Sequence, residues 1–159
     1  MNTLNRVTQY LDKEHIHYGI VPHPHSKSSI ATAISADIPM HQIAKAVILE
    51  DHEGRHIMAI VPADYKVSLS MLSDELNRSF KLAKEAEVYQ MFCDCDSGAV
   101  PPVPKAYHFD AVYDEELTKE QDLFLESGDH ETLIQVSRED FMRLMASYKH
   151  SRFSRKAFH

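Results

Sequence analysis

Two apolar runs separated by a short turn signal constrain the fold of this chain more than any other feature. The segment IAKAVILEDHEGRHIMAIVPA, residues 43–63, is almost continuously apolar on both sides of residues 51–54, which read Asp-His-Glu-Gly. Two apolar runs joined by a short turn that contains glycine predict a β-hairpin. Because the runs are continuous rather than alternating, we expect both faces of this hairpin to be buried.

Helices and further strands surround the hairpin without a regular βαβ rhythm. Periodicity predicts helices over residues 3–14, 68–77 and 83–92, and serines that suit N-caps predict two more, in SSIATAISADI and after Ser137. Short strands are predicted in YGIVPH and FDAVYD, and a second hairpin in DLFLESGDHETLIQVS, turning at residues 127–129. The 159 residues, 43% of them apolar, suit one globular domain. We therefore predict an α+β fold, with residues 1–147 as the domain and residues 148–159 as a basic C-terminal tail.

The charge balance limits the classes of partner. The chain carries 24 acidic against 17 basic side chains, a net charge of −7, whereas broad binding to a nucleic-acid duplex needs clustered lysine and arginine. DNA is therefore not an expected partner. The exception is the C-terminal stretch YKHSRFSRKAFH, which has four lysines and arginines and no acid. We interpret it as a solvated tail, with side chains suited to phosphate contact as the alternative.

The sequence also lacks the features of membrane and secreted proteins. No apolar run approaches the roughly 20 residues that span a bilayer. The first 18 residues, MNTLNRVTQYLDKEHIHY, are typical of an amphipathic helix and not of a secretory signal. Two cysteines provide no disulfide framework. We therefore expect a cytoplasmic protein with no membrane partner.

The common signatures of catalysis and metal binding are missing. The sequence contains no GxSxG, GxxxxGK[ST], GxGxxG or HExxH motif. His23 and His25 are two residues apart, as are Cys93 and Cys95, so each pair would share one face of a strand. One tight pair without a second is weak evidence for zinc, and a disulfide across one intervening residue is strained. No metal and no cofactor are expected.

Lys45 is the one charge inside the first apolar run. Its neighbours are apolar for two residues before it and four after it. Such a lysine either extends its stem so that the ammonium reaches solvent at the strand end, or lines a polar cavity. In a cavity it would be a fixed positive charge for an anionic group such as a phosphate. The pattern alone leaves both interpretations open.

The stretch FCDCDSGAVPPVP, residues 92–104, is unusually rich in cysteine and proline. Within it, Gly98 permits close approach of a ligand to the backbone, and Pro101 and Pro102 restrict φ. A stiff loop with free N–H groups can hold a carbonyl oxygen or a water molecule in place. From its residues alone, the stretch is equally a structural turn between a helix and a strand.

Several of these segments occur together, and in this order, in one known family. The segments HPHSKSS, IAKAVILED, AIVPA, LAKEAEVYQMFCDCDSGAVPPVP and ESGDHETLIQVSREDF resemble the YbaK and prolyl-tRNA synthetase-associated editing domain family. The resemblance covers roughly residues 15 to 147. It implies an α+β domain with a folded, barrel-like mixed sheet surrounded by helices. It also implies a trans-acting aminoacyl-tRNA deacylase, which hydrolyses the ester of a mischarged tRNA.

The resemblance implies roles for those residues of this sequence that match the motifs of the family. Lys45 corresponds to the family's lysine, and residues 98–102 correspond to its GxxxP loop. His130 matches the histidine of its late GxHE segment, and residues 23–29 match its early HPH segment. The residues implied to be catalytic are Lys45 and Gly98. Those implied to bind substrate are His25, Ser28, Ala99, Val100, Pro101, Pro102 and His130.

In that family no side chain is a covalent nucleophile, and the ribose hydroxyl of the substrate assists. The implied partners are the acceptor end of an aminoacyl-tRNA and, as a further possibility, an aminoacyl-tRNA synthetase. Two departures leave the amino acid and the tRNA unassigned: Ala46 follows the lysine where some members have a polar residue, and both Ser28 and Ser29 fit the hydroxyl position.

Two functional hypotheses follow. The first is an editing enzyme in which Lys45 and the loop of residues 98–102 position the substrate. The alternative is a non-catalytic binding module of the same fold, which docks a synthetase or a small ligand. The lysine and the glycine loop are both present, which favours the enzyme.

Overall fold

The predicted helices and strands are present, together with several shorter elements. The computed structural model describes residues 3–26 and 28–157, and in this part of the chain it contains five α-helices and ten strands. The helices are α1 (Thr3–Lys13), α2 (Ser29–Ala36), α3 (Leu69–Leu76), α4 (Glu85–Met91) and α5 (Arg138–Leu144). The strands are β1 (Gly19–Pro22), β2 (Ile43–Asp51), β3 (His56–Pro62), β4 (Tyr65–Val67), β5 (Phe80–Leu82), β6 (Ala111–Asp114), β7 (Asp122–Glu126), β8 (Thr132–Ser137), β9 (Lys149–Ser151) and β10 (Ser154–Lys156).

The first hairpin is confirmed and lies at the centre of the sheet. Strands β2 and β3 pair antiparallel from Ala44↔Pro62 to Glu50↔His56. Alternate residues of β3 enter two different apolar clusters, with Met58 and Ile60 on one face and Ala59 and Val61 on the other. Side chains point to opposite faces of a strand in turn, so the continuous apolar run reflects burial on both faces, as predicted.

A carboxylate fixes the turn of this hairpin. Asp51 accepts hydrogen bonds from the backbone N–H groups of Glu53, at 2.9 Å, and Arg55, at 2.8 Å. Gly54 has φ 80°, a conformation that glycine adopts without steric cost. The side chains of Arg55 and Arg78 also donate to Asp51. Burial by itself would raise the pKa of this carboxyl, but these donors hold the pKa well below its usual range.

The main sheet is mixed and open. Its strand order is β1-β8-β7-β2-β3-β6-β9, and β5 also pairs with β2, while β10 and β4 form a separate two-stranded sheet. Antiparallel pairs such as β7–β8 occur beside parallel pairs such as β3–β6. The predicted α+β domain with a mixed sheet is confirmed. Among the described strands, β1 and β9 end the strand order and do not pair with each other, so the sheet does not close into a barrel.

The sheet divides along one edge of β2. Near its start β2 pairs in parallel with β7, through Ile43↔Phe124 and Ala44↔Leu125. Near its end β2 pairs instead with β5, through residues 49–51. Between these two pairings β2 and β7 separate, and the next residues of the two strands are Lys45 and Glu126. We call this opening the fork.

The predicted solvated tail is wrong for residues 148–157, the part of it that the structure describes. Strand β9 pairs with β6 and strand β10 with β4. Phe153 between them is fully buried. One fully buried aromatic anchors a segment whose flanking basic side chains are exposed, and composition alone does not reveal such an anchor. Residues 158 and 159 of the predicted tail lie outside the described residues.

None of the helices within the described residues has the length and apolar character that a membrane crossing requires.

Candidate active site

A cavity of about 140 Å³ lies at the fork. Four parts of the chain line it: α2 with Ser29 and Thr32, the start of β2, the loop after α4, and the turn between β7 and β8. Its lining residues are Ser29, Thr32, Ile43, Ala44, Lys45, Ala46, Gly98, Val100, Glu126, His130 and Leu133. The separation of β2 from β7 therefore creates the space in which the sequence-predicted lysine, glycine loop and late histidine meet.

Lys45 lines this cavity and is half-buried. Of the two interpretations of the sequence, the cavity is the one found. Burial lowers the pKa of the Lys45 ammonium, and the carboxylate of Asp64 acts in the opposite direction. The site thus has a positive charge on a central strand. Burial removes part of the water around the Lys45 ammonium, and an anionic group of a ligand would compensate for that lost solvation.

The loop of residues 92–104 forms part of the cavity wall. Gly98 has φ 79° and lines the cavity together with Val100. The N–H of Ala99 donates to the carbonyl of Asp96, which closes a turn. Across the described residues no acceptor is found for the N–H groups of Gly98 and Val100. Two free donors on a fixed loop are suited to binding a carbonyl oxygen.

Three loop residues that were predicted to bind substrate do not line the cavity. Ala99, Pro101 and Pro102 are buried, and none of them is part of the described cavity lining. Pro101 and Pro102 restrict φ and so stiffen the loop. Of residues 98–102, Gly98 and Val100 line the cavity.

His130 connects the loop to the turn between β7 and β8. Its side chain is 5% exposed, and its backbone has φ 58°. Its Nε2 lies 2.7 Å from the carbonyl oxygen of Ser97, the residue before Gly98. Its Nδ1 lies 3.5 Å from Oε1 of Glu126. The histidine therefore contacts both the cavity and the backbone of the loop.

The early HPH segment borders this histidine. The N–H of Ser26 donates to the carbonyl of His130, and the rings of His25 and His130 are 5.8 Å apart and nearly perpendicular. His25 is exposed, and its Nε2 lies 3.5 Å from a carboxylate oxygen of Asp96. The structure thus places His25 at the rim, next to His130 and the loop, and outside the cavity lining.

The two serines of this segment have different positions. Ser28 is the N-cap of α2, and its hydroxyl accepts a hydrogen bond from the N–H of Ala31 at 3.1 Å. Ser29, the next residue, lines the cavity, as does Thr32 one helical turn later. The structure therefore does not bring the predicted Ser28 to the cavity. Lys27, within the same segment, lies outside the described residues.

Sequence reasoning missed two polar residues of the cavity, Thr32 and Glu126. Thr32 is three residues after Ser29, the spacing that puts two side chains on one face of a helix. Glu126 directly follows the apolar residues 123–125 and directly precedes the predicted turn at residues 127–129. Both signals were present in the sequence, but each is common on protein surfaces.

The cysteines are not bridged, and neither belongs to a group with metal-ligand spacing within the described residues. Cys93 is exposed and Cys95 buried, and both are free. The Sγ of Cys95 lies 3.3 Å from the hydroxyl of Tyr107, and burial raises the pKa of its thiol to about 12. Within the described residues, one group has metal-ligand spacing, Glu50, His56 and Glu87. These three residues are not part of the cavity lining.

Solved structures with the same fold cover nearly the whole chain. The hypothetical protein APE2540 is 17% identical, with a TM-score of 0.84 over 94% of this chain and 99% of that one. A protein described as a candidate trans-editing enzyme for prolyl-tRNA synthetase is 18% identical, with a TM-score of 0.81 over 98% of both chains. A candidate signal transduction protein from Marinobacter aquaeolei VT8 is 20% identical, with a TM-score of 0.74, and matches over 94% of this chain and 30% of its own length.

These likenesses are below 25% identity and show the fold alone. No curated protein matches the sequence significantly. The model of one protein family, the aminoacyl-tRNA editing domain, matches residues 23–144. The matched range contains every residue that lines the cavity and all of the first hairpin. The chain therefore belongs to the aminoacyl-tRNA editing domain family.

Proposed function

We propose that the protein is a trans-acting deacylase that hydrolyses the ester between a small, wrongly attached amino acid and the terminal ribose of a tRNA. The observation that carries the proposal is that Lys45 lines one cavity together with Gly98 and Val100, two loop residues whose N–H groups have no acceptor among the described residues. The family membership supports aminoacyl-tRNA editing in general. The fold shared with a candidate trans-editing enzyme supports action on a tRNA charged by a separate synthetase.

The free N–H groups have the role of an oxyanion hole in this proposal. A water molecule adds to the acyl carbon, and the carbonyl oxygen gains negative charge as the tetrahedral intermediate forms. The donors of Gly98 and Val100 stabilise that charge without reorganisation, because the loop is held before substrate arrives. The bond from the acyl carbon to the ribose oxygen then breaks, and that oxygen takes up a proton as the free amino acid leaves.

No side chain in the cavity is arranged as a nucleophile paired with a base. The described lining contains no cysteine, and Ser29 and Thr32 have no hydrogen bond to His130. We therefore assign the activation of water to the neighbouring hydroxyl of the substrate ribose, in keeping with the family resemblance. The protein contributes position and electrostatic stabilisation, which together account for most of the rate enhancement in many enzymes.

Lys45 binds the anionic side of the substrate in this proposal. The chain carries a net charge of −7, so a phosphate-containing ligand is attracted by a local cation and not by the molecule as a whole. Lys45 on β2 supplies that cation beside the loop donors. The terminal nucleotide of the acceptor end is then the part of the tRNA that this site holds.

A cavity of about 140 Å³ suits an aminoacyl group with a small side chain. Synthetase pockets separate amino acids that differ by one methylene by only about 1–3 kcal/mol, which is the reason that editing enzymes exist. Ser29 and Thr32 add hydroxyl groups to the cavity wall. Alanine, serine and cysteine are the candidates that this space favours.

The test is a deacylation screen with tRNA for proline charged separately with alanine, serine, cysteine and proline. We expect the protein to accelerate loss of one small amino acid far above spontaneous hydrolysis and to leave prolyl-tRNA intact. Lys81→Ala, which changes an exposed lysine on β5, serves as the matched control for Lys45→Ala. Tight binding of charged tRNA with no accelerated hydrolysis of any of the four would support the non-catalytic binding module instead.

A further inference from the structure

The hydrogen bond from His130 to the loop fixes the position of one proton. The Nε2 of His130 lies 2.7 Å from the carbonyl oxygen of Ser97, and a carbonyl oxygen accepts but never donates. The Nε2 atom must therefore carry hydrogen. This bond attaches the ring directly to Ser97, the residue before Gly98. The ring therefore fixes the position of the loop backbone that carries the free N–H groups.

The other ring nitrogen faces a carboxylate without a hydrogen bond of ordinary length. Nδ1 of His130 is buried, has no hydrogen-bond partner among the described residues, and lies 3.5 Å from Oε1 of Glu126. If neither group held a proton, two lone pairs would face each other in a water-poor site. A single proton between them, on either atom, turns this repulsion into a charge-assisted contact.

Glu126 is itself fixed in place by the turn. Its Oε2 accepts from the backbone N–H groups of Ser127 at 2.9 Å, Gly128 at 3.0 Å and His130 at 3.3 Å. These bonds leave Oε1 directed at the histidine. Burial raises the pKa of Glu126, although the N–H of Gly128 and the nearby His130 oppose this, so the carboxyl retains a proton to a higher pH than an exposed glutamate does.

Resting on the function proposed above, we propose that Glu126 is a positioning residue for the deacylation. It shares a proton with Nδ1 of His130 and thereby holds the ring whose Nε2–H bond to Ser97 aims the N–H groups of the Gly98 loop. Glu126 touches no reacting atom in this role. Its effect on the reaction passes through His130 and the loop.

Other charged groups face this pair and enter its pH dependence. Asp129 acts on Glu126 from the same turn. His25 lies against the ring of His130 and is itself next to Asp96 of the loop. Lys45 lines the same cavity from β2. As pH rises and Glu126 loses its proton, its Oε1 faces the Nδ1 lone pair of His130, and the anchor of the loop weakens.

Two substitutions separate positioning from direct contact. In Glu126→Gln the amide oxygen can still accept from the three N–H groups, and the amide nitrogen can donate a hydrogen to Nδ1. The variant therefore mimics Glu126 and His130 with a hydrogen permanently between them. We expect Glu126→Gln to retain kcat within about threefold at neutral pH, whereas Glu126→Ala lowers kcat about 10–100-fold with little change in KM, the size of effect that slight misplacement produces. As pH rises and Glu126 loses its proton, kcat should fall in the natural protein and stay level in Glu126→Gln, after subtraction of spontaneous hydrolysis.

The matched control is Glu115→Gln. Glu115 also pairs with a histidine, His150 at 2.7 Å, but this pair is exposed, and neither residue lines the cavity. We expect no change in kcat or in its pH profile for this variant. In a His130→Ala background, Glu126→Gln and Glu126→Ala should have equal activity, because the intermediary ring is gone.

Nitrogen NMR of the His130 ring tests the inference independently of any activity. In the free natural protein the Nδ1 signal of His130 should change as Glu126 loses its proton, and in Glu126→Gln this signal should stay constant over the same pH range. An Nδ1 signal with the same pH dependence in both proteins, or a Glu126→Ala variant whose loss of activity lies in KM, would overturn the proposal. If the ring behaves as expected but no charged tRNA is hydrolysed, the proposed function fails while the coupling of Glu126 to the loop stands.

Discussion

At the scale of single residues, Lys45 shows how a charge can be costly for the fold and still useful. It is half-buried on the central strand, and no carboxylate among the described residues lies within ion-pair distance of it. Lys45→Ala removes this partly desolvated cation without leaving a buried partner unpaired. We expect deacylation to be nearly abolished, while thermal stability stays equal or rises slightly.

Single-turnover hydrolysis together with thermal unfolding measures both effects of Lys45→Ala. Lys45→Met is a useful companion, because it keeps most of the apolar stem and removes only the charge. Wild-type turnover in either variant on the best substrate would show that the lysine has no part in the reaction.

Gly98 is needed for its backbone conformation more than for lack of space. At φ 79° a residue with a side chain is strained, yet a Cβ at this position would meet its nearest atom, Nε2 of His130, at an ordinary 3.8 Å. Gly98→Ala should therefore move the loop and slow hydrolysis by about 10²–10³, the cost of losing one oxyanion donor. Pro101→Ala should be milder, because it loosens the loop without forcing it to move.

Stability and rate must be measured on the same samples of these loop variants. If Gly98→Ala is less stable but the folded fraction hydrolyses at the full rate, the loop is only a connection between α4 and β6.

At the scale of secondary-structure elements, helix α2 offers two adjacent serines with separable roles. Ser28 caps the helix through its bond to Ala31, whereas Ser29 lines the cavity. Ser28→Ala should reduce stability by about 1 kcal/mol, the usual cost of losing an N-cap, and leave the choice of amino acid unchanged. Ser29→Ala should leave stability nearly unchanged and alter the relative rates on alanyl, seryl and cysteinyl substrates. Denaturant unfolding and the same substrate panel distinguish them, and the reverse pattern would exchange their assignments.

How far the sequence predicts these elements depends on the length of each signal. The two hairpins and helices such as Leu69–Leu76 carry a long apolar pattern or a capping serine, and their predictions are confirmed. Strands of three residues such as β4 and β5 have no room for a periodic pattern, so only tertiary pairing reveals them.

The residues of the candidate site were predictable where their type was unexpected in its local sequence. Lys45 interrupts an apolar strand, and Gly98 precedes two prolines, so both were visible in the sequence. Glu126 was not, because its significance comes from the fork, where a parallel pairing ends and a loop from elsewhere in the chain approaches. Ser28 and Ser29 differ only in which one begins the helix, and the sequence alone left that choice open.

At the scale of the whole molecule, the C-terminal segment joins the fold through one aromatic side chain. Phe153 is fully buried, its N–H donates to Asp114 at 2.9 Å, and its carbonyl accepts from Ser68. Phe153→Ala should lower the free energy of unfolding by about 3–5 kcal/mol. This is a large share of the total free energy of unfolding of a typical domain, roughly 5–15 kcal/mol. Arg155→Ala, an exposed change on β10, is the control. Equal midpoints of denaturant unfolding for the two variants would mean that the segment folds apart from the core.

The fork also contains a backbone amide whose hydrogen exchange can report whether a ligand fills the cavity, without any catalysed reaction. Ile43 accepts a bond from Ala63 on the β3 side of β2, and Ile48 accepts from Ala83 on the opposite side. Because main-chain groups alternate in direction along a strand, the N–H of Ala46 points the same way as the Ile48 carbonyl, into the fork, where β2 has neither β7 nor β5 beside it. In solution its amide hydrogen should exchange with deuterium much faster than that of Val47, which faces β3. Any aminoacyl analogue that fills the cavity should slow this one exchange, so that ligands can be found and ranked before a substrate is known.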